Sequence, residues 1–360
     1  FERVGVLARV RRAPPSAAAR RADGPGVAFW PLDDYRGPWG YLARLPWLAA
    51  EVGRALDAYD CYLLRAPGAV AYLAAGAARR RGRRFAVEVL GDPWESLGPA
   101  AGGLGPLGPL ARRWSRHRLR RLAGEARAAC YVTRSLLARY PPAGAAVFLC
   151  SDARLDAVAG EPELARREAR ARLAAQGRRS WQLGFLGSLE RLYKAPEVHL
   201  EALALCLARN LDVRLSIAGD GRFRPRLERL AARLGLSGRV DFLGALPPGE
   251  AVTSFLDTLD LFVLASRTEG LPRALVEAMA RGAPALGSTA GGIPDLLEPD
   301  ALVEPGHAPA LATRIGQWLS RPDRLAAAAR RNLLVARDYL WENLSRRRQE
   351  FLWELRNSCT

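Results

Sequence analysis

Short apolar runs alternate with amphipathic stretches along most of the chain. Val4–Val10 (VGVLARV), Val27–Trp30 (VAFW), Tyr59–Leu64, Phe85–Leu90 (FAVEVL), Ala128–Val132 and Phe148–Cys150 have the length and apolar content of strands. Between them, Tyr41–Leu56, Val70–Arg80 and a basic stretch over 110–123 carry helical spacing. The Pro/Ala/Arg segment between the first two strands and the Gly/Pro-rich stretch 98–109 read as loops. The second half repeats the alternation more regularly. A charged helix over Glu161–Ala175 leads in. Strands are expected at Gln182–Leu186, Val213–Ala218, Val240–Leu243, 259–264 and Pro284–Gly287. Helices are expected at Pro196–Arg209, 223–234, 249–257, 309–319 and 322–356, the last broken near Tyr339, and Ala290–Pro294 reads as a glycine turn opening a further helix. No good N-cap stands at Gly249–Glu250 to start its helix. Strands alternating with helices predict an α/β fold with parallel, doubly wound sheets. A chain of 360 residues is long enough for two such units, each with its own core.

One stretch, Ser266–Gly282 (SRTEGLPRALVEAMARG), organises the second half. The apolar run Leu261–Leu264 leads into a polar break, and Pro272 then stands where a helix's first residue should be. Leu275, Val276 and Met279 give that helix an apolar face, and Gly282 stops it. Such a strand–turn–helix leaves backbone N–H groups, including that of Gly270, unpaired at a positive helix end, where an anion binds. Glu269 in the turn and Glu277 in the helix's second turn are poorly placed beside a phosphate, so they suit hydroxyl groups. One phosphate-reading turn with two hydroxyl-reading acids fits a sugar nucleotide.

Four of the second-half strands end in small or glycine turns, at Gly187, Gly219, Gly270 and Gly291–Gly292. In an open α/β sheet these turns face one crevice beyond the carboxyl ends of the strands. A single such turn is more often just a tight bend, but four in order are not. None fits the dinucleotide or P-loop fingerprints, which disfavours a nicotinamide enzyme and a P-loop NTPase. Gly103, Gly105 and Gly108 match G-x-G-x-x-G by letter but lie inside a loop, so the match is discounted. Lys194 is the only lysine among 54 basic residues. A chain so biased toward arginine has kept a compact point charge just past the Gly187 turn, as a diphosphate would require.

The net charge of +17 is lopsided: residues 1–150 carry 24 arginines against 11 acids. The densest clusters are Arg79–Arg84 and the stretch from Arg112 to Arg121. A basic body of this kind is either a solvated surface or one that attracts an anionic partner: membrane lipid, a phosphorylated acceptor or nucleic acid. Nucleic acid is disfavoured, since no binding motif accompanies the charge. The five cysteines lack metal-ligand spacing and read as reduced thiols. No apolar run has membrane-spanning length and no signal-peptide pattern is visible, so a cytoplasmic location is expected, with peripheral contact at the inner membrane face as an option.

GFLGSLERLYKAPEVHLEAL, SIAGDGRFRPRLERLAARLGLSGRVDFLG, LDLFVLASRTEGLPRALVEAMARGAP and GSTAGGIPDLL together resemble the donor domain of the retaining glycosyltransferases of family 4, over roughly residues 180–320. VEVLGDPWESLG and YVTRSLLARYPP in the first half resemble a polysaccharide-biosynthesis branch of that family. The resemblance implies the GT-B fold, two Rossmann-like domains facing across a cleft. Residues 1–150 would be the acceptor-side domain, 151–338 the nucleotide-sugar domain, and 339–360 a helix packing back toward the first. It implies transfer of a sugar from a nucleotide-diphosphate sugar to a glycan, a lipid-linked acceptor or a small molecule, with no metal and no other cofactor. Glu269 would face the transferred sugar, as the first acid of an E-x7-E pair, and Glu277 would hold the ribose. Gly270 and Leu271 would offer N–H groups. Lys194 would neutralise the departing diphosphate, whose developing charge a preorganised cation stabilises. Gly187 and Ser188 would line the phosphate site, with Gly219, Gly291 and Gly292 completing the donor site. The pair is not read as a hydrolase dyad, because Glu277 on its helix suits binding better.

Three departures from the family pattern stand out. Ser188 occupies a place often held by Arg, which leaves Lys194 and Arg191 as the nearby cations. Gly91–Asp92 stand where many members have His; Asp92 is then an acceptor-side candidate or a turn former before Pro93. His199, on a helix, reads as a packing residue. The first visible strand corresponds to the second of such a fold, so the first domain is expected to lack its opening strand. Two other readings remain: a GT-B epimerase acting on the sugar nucleotide, and a non-catalytic subunit using the basic half as a membrane or partner platform.

Overall fold

The computed structural model describes residues 2–10, 24–35, 37–98 and 105–359. Residues 11–23 and 99–104, Gly103 among them, where loops were expected, lie outside the described residues. The first domain holds strands β1 (Val4–Val10), β2 (Val27–Asp33), β3 (Leu63–Ala66), β4 (Ala86–Val89), β5 (Ala128–Tyr131) and β6 (Ala146–Leu149). Its helices are α1 (Gly37–Asp57), α2 (Ala69–Arg80), α3 (Pro93–Ser96), α4 (Gly108–Glu125) and α5 (Arg134–Arg139). The second domain holds α6 (Glu161–Ala175), β7 (Trp181–Leu186), α7 (Pro196–Ala208), β8 (Val213–Ala218), α8 (Arg224–Arg233) and β9 (Val240–Gly244). There follow α9 (Glu250–Thr258), β10 (Leu261–Leu264), α10 (Arg273–Ala280), β11 (Ala285–Ser288) and β12 (Leu302–Val303). The chain ends in α11 (Ala308–Leu319), α12 (Pro322–Ala336) and α13 (Trp341–Cys359).

All six second-domain strands run parallel in the order β12-β11-β10-β7-β8-β9. Every residue of β10 and β11 is buried, as a sheet covered by helices on both faces demands. The order reverses between β7 and β10, so the crevice for a ligand opens at the carboxyl ends of those two strands. Glycine is obligatory where the turns beyond them interlock. At Gly219, with φ of +146°, an added Cβ would lie 1.9 Å from the Gly187 carbonyl. At Gly291, with φ of +54°, it would lie 1.8 Å from the Glu269 carbonyl.

The first domain departs from one continuous doubly wound sheet. Its strands form a four-stranded parallel sheet, β3-β4-β5-β6, and a separate parallel ribbon of β1 and β2. Among the described residues no strand joins β1 to β3. The ribbon is held by side chains: Leu7 packs on the domain core, and Trp30 meets Tyr59 edge to face at 6.4 Å.

Several expected boundaries move for local reasons. The strand expected at 59–64 begins at Leu63, because Tyr59 and Asp60 stand in a turn. The strand expected from 259 begins at Leu261, because buried Asp260 turns its carboxylate to the Gln182 amide (2.8 Å) and Arg179 (2.6 Å). The uncapped helix near 250 forms behind Gly249, whose φ of +97° makes the entry turn. Past Gly291–Gly292 the chain makes two short 3-10 turns, Ile293–Asp295 and Pro299–Ala301, where a helix was expected. Asp295 instead sends its carboxylate across to the Ser135 amide of the first domain, at 3.0 Å.

Two connections join the domains, and they run side by side. Leu155 N donates to Tyr339 O (3.0 Å), and Trp341 N donates to Leu155 O (2.9 Å). From there α13 lies on the first domain's sheet, with Phe351 and Leu355 buried against Ala86 and Cys130. Arg348 of α13 reaches Glu88 at 3.0 Å; Glu88 sits in fully buried β4 and also pairs with Arg65 at 2.7 Å. A carboxylate so deep in a sheet is tolerable only with such partners.

Candidate active site

The site is built at the switch point of the second sheet. Past β7, a 3-10 turn over Leu192–Lys194 ends at Ala195, whose φ of +52° bends the chain into α7. His199 holds that bend. Its ring is fully enclosed, and burial pushes its pKa down. Nδ1 lies 2.9 Å from the Ala195 carbonyl, and Nε2 lies 3.1 Å from the Val263 carbonyl and 3.4 Å from the Ala265 amide. His199 thus ties the turn after β7 to the end of β10. Arg267 adds a second tie: its amide donates to Tyr193 O at 2.7 Å, and its guanidinium reaches Leu192 O at 3.2 Å and pairs with Glu197.

These ties set Lys194 against Glu269, with Nζ 2.7 Å from Oε1 and both side chains about nine-tenths enclosed. The same Oε1 accepts from the Ser266 hydroxyl at 2.8 Å, and Ser266 is fully buried. The Gly187 backbone lies against the Lys194 stem; an added Cβ there would fall 2.6 Å from Lys194 Cδ. Removing one partner of such an enclosed pair leaves an uncompensated charge. Among the described residues, neither the Gly270 nor the Leu271 N–H donates to another protein group. Both stand immediately ahead of α10, at its positive end.

Five of the residues singled out from sequence line one small interdomain space: Asp92 from the first domain with Glu269, Gly270, Gly291 and Gly292. Lys194 joins through its ion pair, Gly187 through the Lys194 stem, and Gly219 through Gly187. Leu271 rests its side chain on the second-domain core. Glu277 is half-buried on α10 and outside that lining, and burial raises its carboxyl pKa. Ser188 is exposed, its hydroxyl accepting from the Glu190 amide at 3.2 Å.

Asp92 is already engaged. It caps α3 by accepting from Trp94 N at 2.8 Å, accepts from the Tyr140 hydroxyl, and pairs with Arg139. Its neighbours are what the first domain turns to the cleft. Arg139 and Glu95 line the space, and Glu95 Oε2 accepts from the Thr268 hydroxyl at 3.2 Å across the gap. Burial and the nearby Asp92 charge raise the Glu95 pKa. Ser266, Arg267, Glu95 and Arg139 were not found from sequence. Their letters were visible, but their roles come from partners distant in the chain.

The domains touch closely here. A Cβ on Gly270 would stand 2.9 Å from Leu90 O, and one on Gly292 would stand 2.5 Å from Thr133 Cγ2. The space between them is about 230 Å³, open solvent included. Among the described residues no three His, Cys, Asp or Glu side chains converge as metal ligands, and no helix is long and apolar enough to cross a membrane.

Two parallel-sheet α/β domains meeting at a cleft beyond the strand ends define the GT-B class of fold. The chain superposes on Anabaena HepE, solved in complex with UDP, with a TM-score of 0.64 and 20% identity over 92% of this chain and 86% of that one. Residues 181–321 match the model of the family described as glycosyl transferases group 1. The D-inositol 3-phosphate glycosyltransferase of Corynebacterium urealyticum is 34% identical over 46% of this chain and 41% of its own length. A GDP-mannose-dependent alpha-(1-6)-phosphatidylinositol monomannoside mannosyltransferase of Mycolicibacterium smegmatis is 29% identical over 63% of this chain and 68% of its own. This chain therefore spans less than half the length of the first of these relatives and about two thirds of the second.

Proposed function

We propose that the protein is a glycosyltransferase of the retaining family 4 type, taking its sugar from a nucleoside diphosphate sugar without a metal or other cofactor. The observation that carries the reading is the enclosed Lys194–Glu269 pair at the switch point, beside the unbonded amides of Gly270 and Leu271. In the transfer, the bond from the sugar's anomeric carbon to the β-phosphate oxygen breaks, and its electron pair stays on the phosphate. The acceptor oxygen bonds to the same face of that carbon, and its proton passes to the departing phosphate. Lys194 and the two amides stabilise the charge that gathers there, an arrangement worth most in a water-excluded site. Once the diphosphate draws Lys194 away, Glu269 is free to accept hydrogen bonds from the sugar hydroxyls, with Ser266 fixing its carboxylate. Glu277 holds the ribose, and Glu95 and Arg139 meet the acceptor.

The names of the relatives support this reading. One is GDP-mannose-dependent, and the HepE structure contains UDP. On this reading the protein works in the cytoplasm, in the synthesis of a polysaccharide or glycoconjugate. The test has two stages. UDP, GDP and ADP are screened by thermal shift, since only a ligand of the folded state raises the melting temperature. The donor sugars of the best nucleotide are then offered with glycan and lipid-linked acceptors, and the anomeric configuration of the product is read by NMR. A nucleotide shift followed by a product of unchanged configuration is expected. No shift with any nucleotide, or an inverted product, overturns the proposal.

A further inference from the structure

The two arginine clusters of the first domain differ in what surrounds them. In Arg79–Arg84, Arg79 pairs with Glu125 at 2.6 Å and Arg81 with Asp57 at 2.9 Å. On α4 there are six arginines and one acid, Glu125. Arg113, Arg116 and Arg120 make no ion pair among the described residues. The buried stripe of α4 is Ser115, Leu119, Leu122 and Ala123. Its outward stripe carries Leu110 (69% exposed), Arg113, Trp114 (51% exposed), His117 and Arg121 at helical spacing. Leu107 stands exposed at the helix entry. The outward face is therefore apolar at its leading end and cationic behind.

The inner side of α4 reaches the element that lines the cleft, which leaves the outward face free. Arg112 stacks on the Trp94 ring at 4.0 Å and donates to the Trp94 carbonyl at 2.8 Å. Trp94 precedes Glu95, which bonds to Thr268 of the second domain. Exposed aliphatic side chains gain nothing from a polyphosphate backbone, but they gain from the acyl boundary of a bilayer, where flanking cations meet anionic headgroups. Charge complementarity and apolar area point to the same occupant.

We propose that the outward face of α4, with Leu107, Leu110 and Trp114 flanked by Arg113 and Arg120, docks the first domain on an anionic lipid surface, from which an acceptor carried in that surface reaches the cleft. The acceptor clause rests on the transfer reading above; the docking does not.

The test is co-sedimentation of the full chain with vesicles of phosphatidylcholine alone and of phosphatidylcholine mixed with phosphatidylglycerol. Binding is expected only to the mixed vesicles, and it should weaken at high salt. Arg113→Glu with Arg120→Glu should weaken it about thirtyfold or more, the effect of two arginines at such a surface. Leu110→Ser with Trp114→Ser should weaken it too, and should abolish the blue shift of tryptophan emission on binding. The control is Arg80→Glu with Arg84→Glu, which makes the same charge change in the other cluster and should lower binding less than about threefold. Equal binding to both vesicles, equal loss in the two charge-reversed pairs, or tight binding to a nucleic-acid oligomer without vesicle preference overturns the proposal. Thermal shift by UDP and GDP is followed in every variant. Its retention shows an intact second domain, and its absence from the unaltered protein counts against the transfer reading while leaving the vesicle result to stand.

Discussion

The second domain frames one enclosed ion pair with interlocked backbone turns, and the first builds its surface from scattered side-chain partnerships. Gly219 and Gly291 are fixed by carbonyls under 2 Å from where a Cβ would stand, and the amides of Gly270 and Leu271 are the groups on offer. In the first domain the corresponding decisions are ionic. Arg79 is neutralised by Glu125, Arg139 by Asp92, and Arg348 by Glu88, while Arg113 and Arg120 are left unpaired among the described residues. A backbone site tolerates almost no change at its turns. A site made of charge pairs redistributes, because exposed pairs are worth about 0–1 kcal/mol each.

The sharpest probe of this contrast is Lys194→Ala. Transfer should fall about 10²–10³-fold, as when one preorganised donor is removed from a developing oxyanion, with UDP or GDP binding weakened far less. Equal losses in kcat/KM and nucleotide affinity would show that Lys194 serves binding alone. Next comes Gly219→Ala, which forces a side chain into the Gly187 carbonyl at a left-handed backbone position. It should destabilise the protein by about 3 kcal/mol in urea melts, and a neutral result would mean that the turns are not interlocked. Arg348→Ala should cost up to about 3 kcal/mol, since Glu88 keeps Arg65 but loses its partner on α13. If that loss matches the loss from Arg79→Ala on the surface, the distinction between enclosed and exposed pairs fails for this domain. The smallest effect is in pH. Glu95 has a folded pKa above its ordinary 4.5, so the folded chain keeps a proton that the unfolded chain has released. Stability from this group should be present below that value and decline as pH rises past it toward neutrality. Glu95→Gln should flatten that slope in thermal melts, and an unchanged slope would assign it elsewhere.

The same contrast explains what was legible in the residues alone. The interlocked turns could be read because glycine there has no substitute, and Lys194 because one lysine among 54 basic residues is an anomaly. The strands β10 and β11 could be read because a sheet buried on both faces needs unbroken apolar runs. Ser266 and Arg267 could not be assigned, since a buried serine hydroxyl and a half-buried guanidinium acquire roles only when Glu269 and the Leu192–Lys194 turn come beside them. Asp92 could be read as an acceptor group or a turn former, and the structure adds three partners that occupy it: Trp94 N, the Tyr140 hydroxyl and Arg139. The missing helix after Gly292 has the same origin. Asp295 bonds to a residue 160 positions away, which no local propensity encodes.

The paired crossings at Leu155 and Leu340 limit how the molecule can move. Two adjacent, hydrogen-bonded strands of chain form a hinge that permits rotation about one axis and resists sliding and shear. On the transfer reading, the narrow gap between the domains has to widen by that rotation before a sugar nucleotide enters, and again before the spent nucleotide departs. On that reading turnover should follow the stiffness of the Leu155–Leu340 crossing as well as the proposed chemistry beside Glu269, and solvent viscosity should slow it.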